Sequence, residues 1–424
     1  MTARSLADWL EYIERQHPKT IALGLDRVTA VLGRLGIAPG CPVIIVGGTN
    51  GKGSTCAMLA SMLDSAAYRV GLYTSPHLMR YNERVQLGGR EADDAALCEA
   101  FAAVEAMRET VPLTYFEYGT LAAAWLFARE RLDAIVLEVG LGGRLDAVNM
   151  FDADCAVLTS VAIDHVDYLG DSREAIGREK AGIFRRGAAA VIAEPEPPSS
   201  VLDEARRIGA RLFLIGREFG YSADGPQWSY WGPGGKRHGL AVPSLRGPVQ
   251  LRNAAAALAA LDALKERLPV AMQDVRRGLA GVSLPGRFQV LPGRPQIVLD
   301  VAHNPQAAAA LAQNLAASGY ARECIAVFAM LRDKDIAGVV RAVAPRITRW
   351  HVAGLAGPRG AGAREIARIV GDAGVVAPVF VHDHVAAALQ AAQGEAIEND
   401  KIVVFGSFFT VAEAIAQLES RPHG

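Results

Sequence analysis

The thirteen residues from Val43 to Thr55, VIIVGGTNGKGST, constrain this chain more than any other stretch. Four apolar, mostly β-branched residues run into a glycine-rich turn with a lysine, and Ala57, Met58, Leu59, Met62 and Leu63 follow at helical spacing. Strand, loop and helix in that order form the setting in which backbone N–H groups and a helix N-terminus grip phosphate. Glycines at 47, 48, 51 and 53 let the backbone turn inward. Lys52 supplies a full positive charge, and Ser54 and Thr55 supply hydroxyls for a phosphate oxygen or its magnesium ion. The usual P-loop places Ser or Thr directly after the lysine; here Gly53 intervenes, so the loop is a variant.

At 424 residues the chain exceeds one ordinary core, and two domains are expected. Lysine plus arginine number 44 against 45 aspartates and glutamates, so no global basic field recruits nucleic acid. Cys41, Cys56, Cys98, Cys155 and Cys324 show no metal-ligand or redox spacing, which reads as reduced thiols in a cytoplasmic protein. The first twenty residues carry charges every few positions and lack the apolar core of a signal peptide. Alanine-rich stretches at 254–264 and 307–317 are broken by Asp262 and Gln313 and read as packed helices, so no membrane segment is expected.

Helices are expected over 6–15 and 25–35 on either side of a loop through Ala22, Leu23, Gly24 and Leu25. A short strand, 69–74, ends in Ser75-Pro76, where a parallel sheet faces its ligand crevice; Ser75 is either a ligand there or a turn former. Helices over 92–108 and 118–131 precede the strand 133–139, whose apolar run is interrupted by Glu138. A buried carboxylate needs a partner, which Arg144 or a bound cation would supply. A strand over 155–163 ends in Asp164-His165, with His165 either a ligand or a structural histidine. The helix over 172–184 carries Lys180, whose plain reading is a solvated charge. Strands at 188–193 and 212–215 continue the alternation, residues 220–248 suggest short antiparallel strands, and helices follow at 252–265 and 272–280, with Asn253 just inside the first. Leu284 to Phe288 is the candidate linker. Beyond it, a strand at 296–301 ends near Asp300 and His303, and helices and strands alternate onward. The fold expected is α/β: a P-loop-containing parallel-sheet N-terminal domain over 1–284 and a smaller Rossmann-like α/β C-terminal domain over 285–424.

Taken in order, GTNGKGS at 48–54, SPHL at 75–78, LTYFEYGT at 113–120, LEVGLGGRLDA at 137–147, DH at 164–165, REKAGIF at 178–184, LPGRFQ at 284–289, DVAHNP at 300–305 and GSFFTV at 406–411 span nearly the whole chain. This set resembles the dihydrofolate synthase/folylpolyglutamate synthase family of the Mur-type ATP-dependent amide ligases. The resemblance implies that Thr49, Asn50, Gly51, Lys52, Gly53 and Ser54 bind ATP phosphates, with Asn253, Arg287 and Asp300 also on the nucleotide. It implies Ser75, Glu138 and His165 as magnesium ligands and Lys180 as a carbamylated lysine, a cation turned into a carboxylate-like group. Lys52, Lys180 and His165 are then the catalytic set. Ala22, Leu23, Gly24 and Leu25, with Thr114, Tyr115, Phe116 and Glu117 and with Leu145, Asp146 and Ala147, match the pterin-binding segments. Ala22, where some bifunctional relatives carry Asp, and Phe409, often His, depart from the pattern.

The implied reaction joins L-glutamate to dihydropteroate and to reduced folates by way of an acyl phosphate. A carboxylate is a poor acyl acceptor because oxide would have to leave, so ATP activates it first. Phosphoryl transfer needs positioning and charge neutralisation more than covalent help, and Arg287 and Asp300 on a mobile second domain would exclude water. The expected protein is a monomer without nucleic-acid or membrane partners. A monofunctional folylpolyglutamate synthase is the nearest alternative. A cell-wall Mur ligase is disfavoured by LTYFEYGT and by the short stretch before the phosphate loop, and a P-loop regulatory protein by Glu138.

Overall fold

The computed structural model describes residues 4–19, 21–225 and 227–420, so Met1 to Ala3 and Thr20 of the leading segment lie outside the described residues. The chain forms two compact units, one of Met1–Ser244 with Leu251–Val282 and the other of Leu245–Gln250 with Ser283–Gly424.

The first unit is built on strands β1 (Val43–Gly47), β2 (Val70–Tyr73), β3 (Val85–Leu87), β4 (Arg90–Glu91), β5 (Ala134–Glu138), β6 (Cys155–Leu158), β7 (Ala189–Ile192) and β8 (Arg211–Leu214). They pair in the order β4-β3-β2-β5-β1-β6-β7-β8. The sheet is parallel from β2 to β8, and β3 and β4 run antiparallel at one edge. All residues of β1 and β5 are buried, as a parallel sheet covered on both faces requires. In register, Val46 lies beside Glu138, and Gly47 beside Leu158, so the loops after β1, β5 and β6 leave one edge together.

The helix Lys52–Ser65 buries residues all around its circumference. One side is closed by the helix Met272–Gly281, where Gly278 lies so near that a Cβ would stand 2.5 Å from Met62 Cα. Residues 220–241 form β9 (Gly220–Asp224), β10 (Gln227–Gly232) and β11 (Gly235–Ala241), a separate antiparallel sheet. Buried Asp262 anchors it by accepting from the Tyr230 hydroxyl at 2.7 Å and pairing with Arg237 at 3.0 Å.

The second unit holds β12 (Gln289–Leu291), β13 (Gln296–Asp300), β14 (Cys324–Phe328), β15 (Arg349–Ala353), β16 (Val379–His382) and β17 (Lys401–Phe405) in the order β12-β13-β17-β14-β15-β16. Five strands are parallel, and β12 pairs antiparallel with β13. Phe328, Trp350 and Phe405 pack edge-on or tilted at its centre.

Several element limits differ from the sequence reading. The strand expected over 155–163 stops at Leu158, because Thr159 and Ser160 turn aside to bond the phosphate loop. The helix expected from 118 begins at Tyr115, where Thr114 and Glu117 form a reciprocal capping box. The helix expected from 252 begins at Pro248, a residue suited to a first turn, so Asn253 lies beyond that turn. Strands β12 and β16 were not expected at all.

Candidate active site

The phosphate loop leaves β1 and is braced from the β6 side. The Thr49 N–H donates to the Ser160 carbonyl at 2.8 Å, and the Asn50 N–H to Ser160 Oγ at 2.9 Å. Hydroxyls of Thr159 and Ser160 donate to the Asn50 carbonyl at 2.7 and 3.0 Å. Gly48 has φ +145°, and a Cβ there would fall 1.9 Å from Thr159 Oγ1, so only glycine admits this brace. Gly51, φ +88°, caps the helix, with Asn253 Oδ1 2.6 Å from where its Cβ would be. Lys52 Nζ donates to the Thr49 carbonyl at 3.2 Å, which folds the ammonium back over the loop. Gly53 and Ser54 lie in the first turn, whose amides have no partner within the helix itself. Thr159 and Ser160 were missed by the sequence reading; lone hydroxyls after a strand give no signal.

At the neighbouring strand ends, the Ser75 N–H donates to Glu138 Oε2 at 3.1 Å, so two of the three expected magnesium ligands meet. Glu138 is buried, and Arg144 does not neutralise it: that guanidinium pairs with Glu179 at 2.8 Å. His165 takes the left-handed conformation, φ 53° and ψ 43°, and its N–H donates to Asp164 Oδ1 at 2.8 Å. Among the described residues no three His, Cys, Asp or Glu side chains form a ready-made metal cluster. The donors on offer are hard oxygens with one imidazole, a set suited to magnesium or manganese.

Lys180 is buried, contrary to its plain reading as a solvated charge. Burial pulls its amine down to about 7, the nearby Lys52 charge acts in the same direction, and Asp164 and Asp146 partly oppose them. Its neighbours are thus the phosphate-loop lysine, the aspartate before His165 and the loop after Glu138. Asp146 is itself buried and pushed up to about 7, with backbone N–H groups and Lys52 pulling back. Its oxygens accept from Leu141 N at 2.7 Å and Val148 N at 3.1 Å, so the carboxylate organises its own loop.

Two of the three expected pterin segments are joined by one residue absent from the expected set. Arg27 pairs with Glu117 at 2.8 Å and donates to the Ala22 carbonyl at 2.5 Å. The Gly24 N–H donates to the Leu145 carbonyl at 3.2 Å, joining the first segment to the third. Leu23 and Leu25 are half-buried, as are Tyr115 and Phe116, and Ala147 is buried. The Phe116 ring tilts against Tyr73 at 5.9 Å and covers Gly140, where a Cβ would meet it at 2.6 Å. The arrangement is a half-open apolar wall beside a cationic phosphate loop.

In the second unit, half-buried Asp300 accepts from Phe288 N at 2.9 Å and Ala302 N at 2.8 Å. Burial pushes it up to about 6, against the pull of Arg287. The Arg287 guanidinium lies 5.1 Å over the Phe408 ring. Arg287 and Asp300 therefore belong to one local cluster.

Family comparisons agree in extent. The Mur ligase middle domain matches residues 46–261, and the Mur ligase glutamate ligase domain matches 286–408. The dihydrofolate synthase/folylpolyglutamate synthase of Escherichia coli K12 is 46% identical over 100% of this chain and 97% of its own. Its counterpart from Haemophilus influenzae is 40% identical over 98% of each. The structure of E. coli FolC in complex with DHPP and ADP superimposes with a TM-score of 0.94, at 46% identity and 99% coverage of both chains. The structure of a bifunctional folylpolyglutamate synthase/dihydrofolate synthase with Mn, AMPPNP and L-glutamate bound gives 0.90, at 45% identity and 98% coverage of both.

Proposed function

The chain belongs to the Mur ligase family, in its dihydrofolate synthase/folylpolyglutamate synthase branch, and from this premise we propose how its residues divide the work of ATP-dependent glutamate ligation. The enzyme joins L-glutamate to dihydropteroate, giving dihydrofolate, and to reduced folates, giving polyglutamates. A carboxylate oxygen of the acceptor attacks the terminal phosphorus of ATP, and ADP leaves. The glutamate nitrogen then attacks the acyl carbon, losing a proton, and inorganic phosphate departs with its bonding electrons.

Thr49 to Ser54 and Asn253 are assigned to ATP, with the first-turn amides and Lys52 receiving the phosphates. Arg287 and Asp300 keep the nucleotide role that the resemblance implies. Ser75, Glu138 and His165 would hold magnesium, which when bound neutralises phosphate charge. Lys180 is assigned as a carbamate. Its amine, held near neutrality by burial, can attack carbon dioxide and lose a proton, and the product places negative rather than positive charge beside Lys52. Ala22 to Leu25, Thr114 to Glu117 and Leu145 to Ala147 form the acceptor's pterin wall, in which Phe116 offers a ring face and Arg27 holds the segments in place.

The bifunctional reading is carried by the convergence of these three segments on Arg27 and Leu145. Extending the acceptor by one glutamyl unit moves its ring by about 3.3 to 3.6 Å per residue spanned, so a separate ring site serves the shorter acceptor. We further assign the protein to the cytoplasm as a monomer. The five free cysteines suit a reducing compartment, and no helix among the described residues is long and apolar enough to cross a membrane. Incubation with ATP, L-glutamate and either dihydropteroate or a reduced folate, followed by product mass, tests the function. No glutamylated product from dihydropteroate would leave a monofunctional synthase.

A further inference from the structure

At the amino ends of β6, β7 and β8, the sheet edge opposite the phosphate loop, lies a cavity of about 540 Å³. Four arginines line it: Arg185, Arg186, Arg211 and Arg267. Two are committed to the fold. Arg185 bonds Asp152 at 2.6 Å and the carbonyls of Asn149 and Phe151, and Arg267 pairs with Asp154. Asp154 in turn accepts from Val43 N at 2.8 Å, so this wall is tied to β1.

Arg186 and Arg211 have no carboxylate partner among the described residues, although both are exposed at the cavity's rim. The Arg211 guanidinium rests 6.0 Å over the Phe213 ring. The chain brings the two arginines side by side: Gly187 N donates to the Gly209 carbonyl at 2.9 Å, and Arg211 N to the Ala188 carbonyl at 2.8 Å. The Arg186 stem passes 3.8 Å from where a Cβ of residue 209 would stand. Among the described residues Glu266 is the one lining acid with no basic partner, so the unneutralised charge of the lining is positive.

We propose that this cavity is a second anion site that binds a small phosphate-bearing molecule, separate from the ATP site. A guanidinium presents a planar fork of donors that matches phosphate oxygens in pairs, and two adjacent forks fit a multivalent phosphate better than a single carboxylate. A volume of 540 Å³ exceeds what one phosphate fills and lies within the range of small-molecule pockets. The four residues of β6 separate the cavity from the phosphate loop by roughly 13 Å, at about 3.3 Å per residue. One ion therefore cannot occupy both sites.

The test uses the full chain carrying Lys52→Ala, titrated calorimetrically with inorganic pyrophosphate at fixed ionic strength. One saturable site is expected to persist, and adding Arg186→Ala and Arg211→Ala should weaken it at least tenfold. The single variants Arg186→Gln and Arg211→Gln, which keep side-chain bulk, should each weaken it several-fold, and circular dichroism checks their folding. On the otherwise unaltered chain the Arg186→Ala/Arg211→Ala variant should form glutamylated product at the original rate. Unchanged pyrophosphate affinity in the arginine variants, or no saturable binding with Lys52→Ala, overturns the proposal. A parallel titration with citrate distinguishes the source of the oxygens, and tighter binding of citrate than pyrophosphate overturns the phosphate assignment.

Discussion

The guanidinium of Arg27 binds the Glu117 carboxylate and the Ala22 carbonyl at once, joining two segments 90 residues apart in sequence. Glu117 also accepts from Thr114 N at 2.8 Å, so its charge serves both a helix cap and a loop anchor. Arg27→Ala should leave this buried carboxylate without its cation and lower unfolding free energy by about 1–3 kcal/mol. It should also cut dihydropteroate use more than folate use. Arg27→Lys should restore the charge but not both bonds. Denaturant unfolding and steady-state rates with each acceptor measure these effects.

Phe116→Ala removes the ring that lies over Gly140 and beside Tyr73 while leaving the capping box intact. Its KM for dihydropteroate should rise by about tenfold or more, the loss of one stacked base-sized contact. Equal losses with dihydropteroate and a reduced folate would show that one ring position serves both acceptors.

Lys52→Ala should lower kcat/KM by on the order of 10²–10³-fold, the usual consequence of removing a donor from a developing charge. The loop should keep its shape, because Thr159 and Ser160 hold it from the other side. Retained thermal stability with lost phosphate release is the expected pair of results.

Glu138→Gln keeps an oxygen to accept from Ser75 N but removes the charge. The variant should fold normally and require much more magnesium for half-maximal activity. An unchanged magnesium titration would remove Glu138 from the ligand set.

Lys180 yields a prediction with a definite sign. Its amine is lowered to about 7 in the folded protein from 10.5, so the unfolded chain binds more protons between those values. Stability contributed by this group therefore rises with pH across the window and is lost as pH falls towards 7. The neutral amine is also the form that takes up carbon dioxide. Labelled bicarbonate should give a carbamate signal above pH 7 that fades below it and is absent in Lys180→Met.

The phosphate loop, Glu138 and the order of helices and strands were legible because each rests on local pattern: glycine punctuation, a charge in an apolar run, periodicity. The loop's brace was not, since Thr159 and Ser160 act chiefly through hydroxyls on the loop's backbone, and two hydroxyl residues after a strand carry no pattern. Arg27 was equally silent, as one of two arginines on an amphipathic helix. The capping box at Thr114 was readable as T-x-x-E, and its oversight cost three residues of helix. Strand β16 escaped because its residues Phe380 and Val381 stay exposed at a sheet edge and its last residue, His382, opens a His-Asp-His run. Lys180 looked like a surface charge because a strongly polar helix gives no hint that its one lysine is enclosed.

The contact between Gly278 and Met62 limits how this protein can be dissected. The eight-stranded sheet is complete once β8 ends at Leu214, which invites truncation there. A fragment cut at that point would uncover the side of the Lys52–Ser65 helix that Gly278 meets and would lose Asn253 beside Gly51. The shortest autonomous nucleotide-binding piece must therefore run through Gly281. Crowding at position 278, as in Gly278→Val, should reproduce the damage of truncation in the intact chain, through displacement of the helix that presents Lys52.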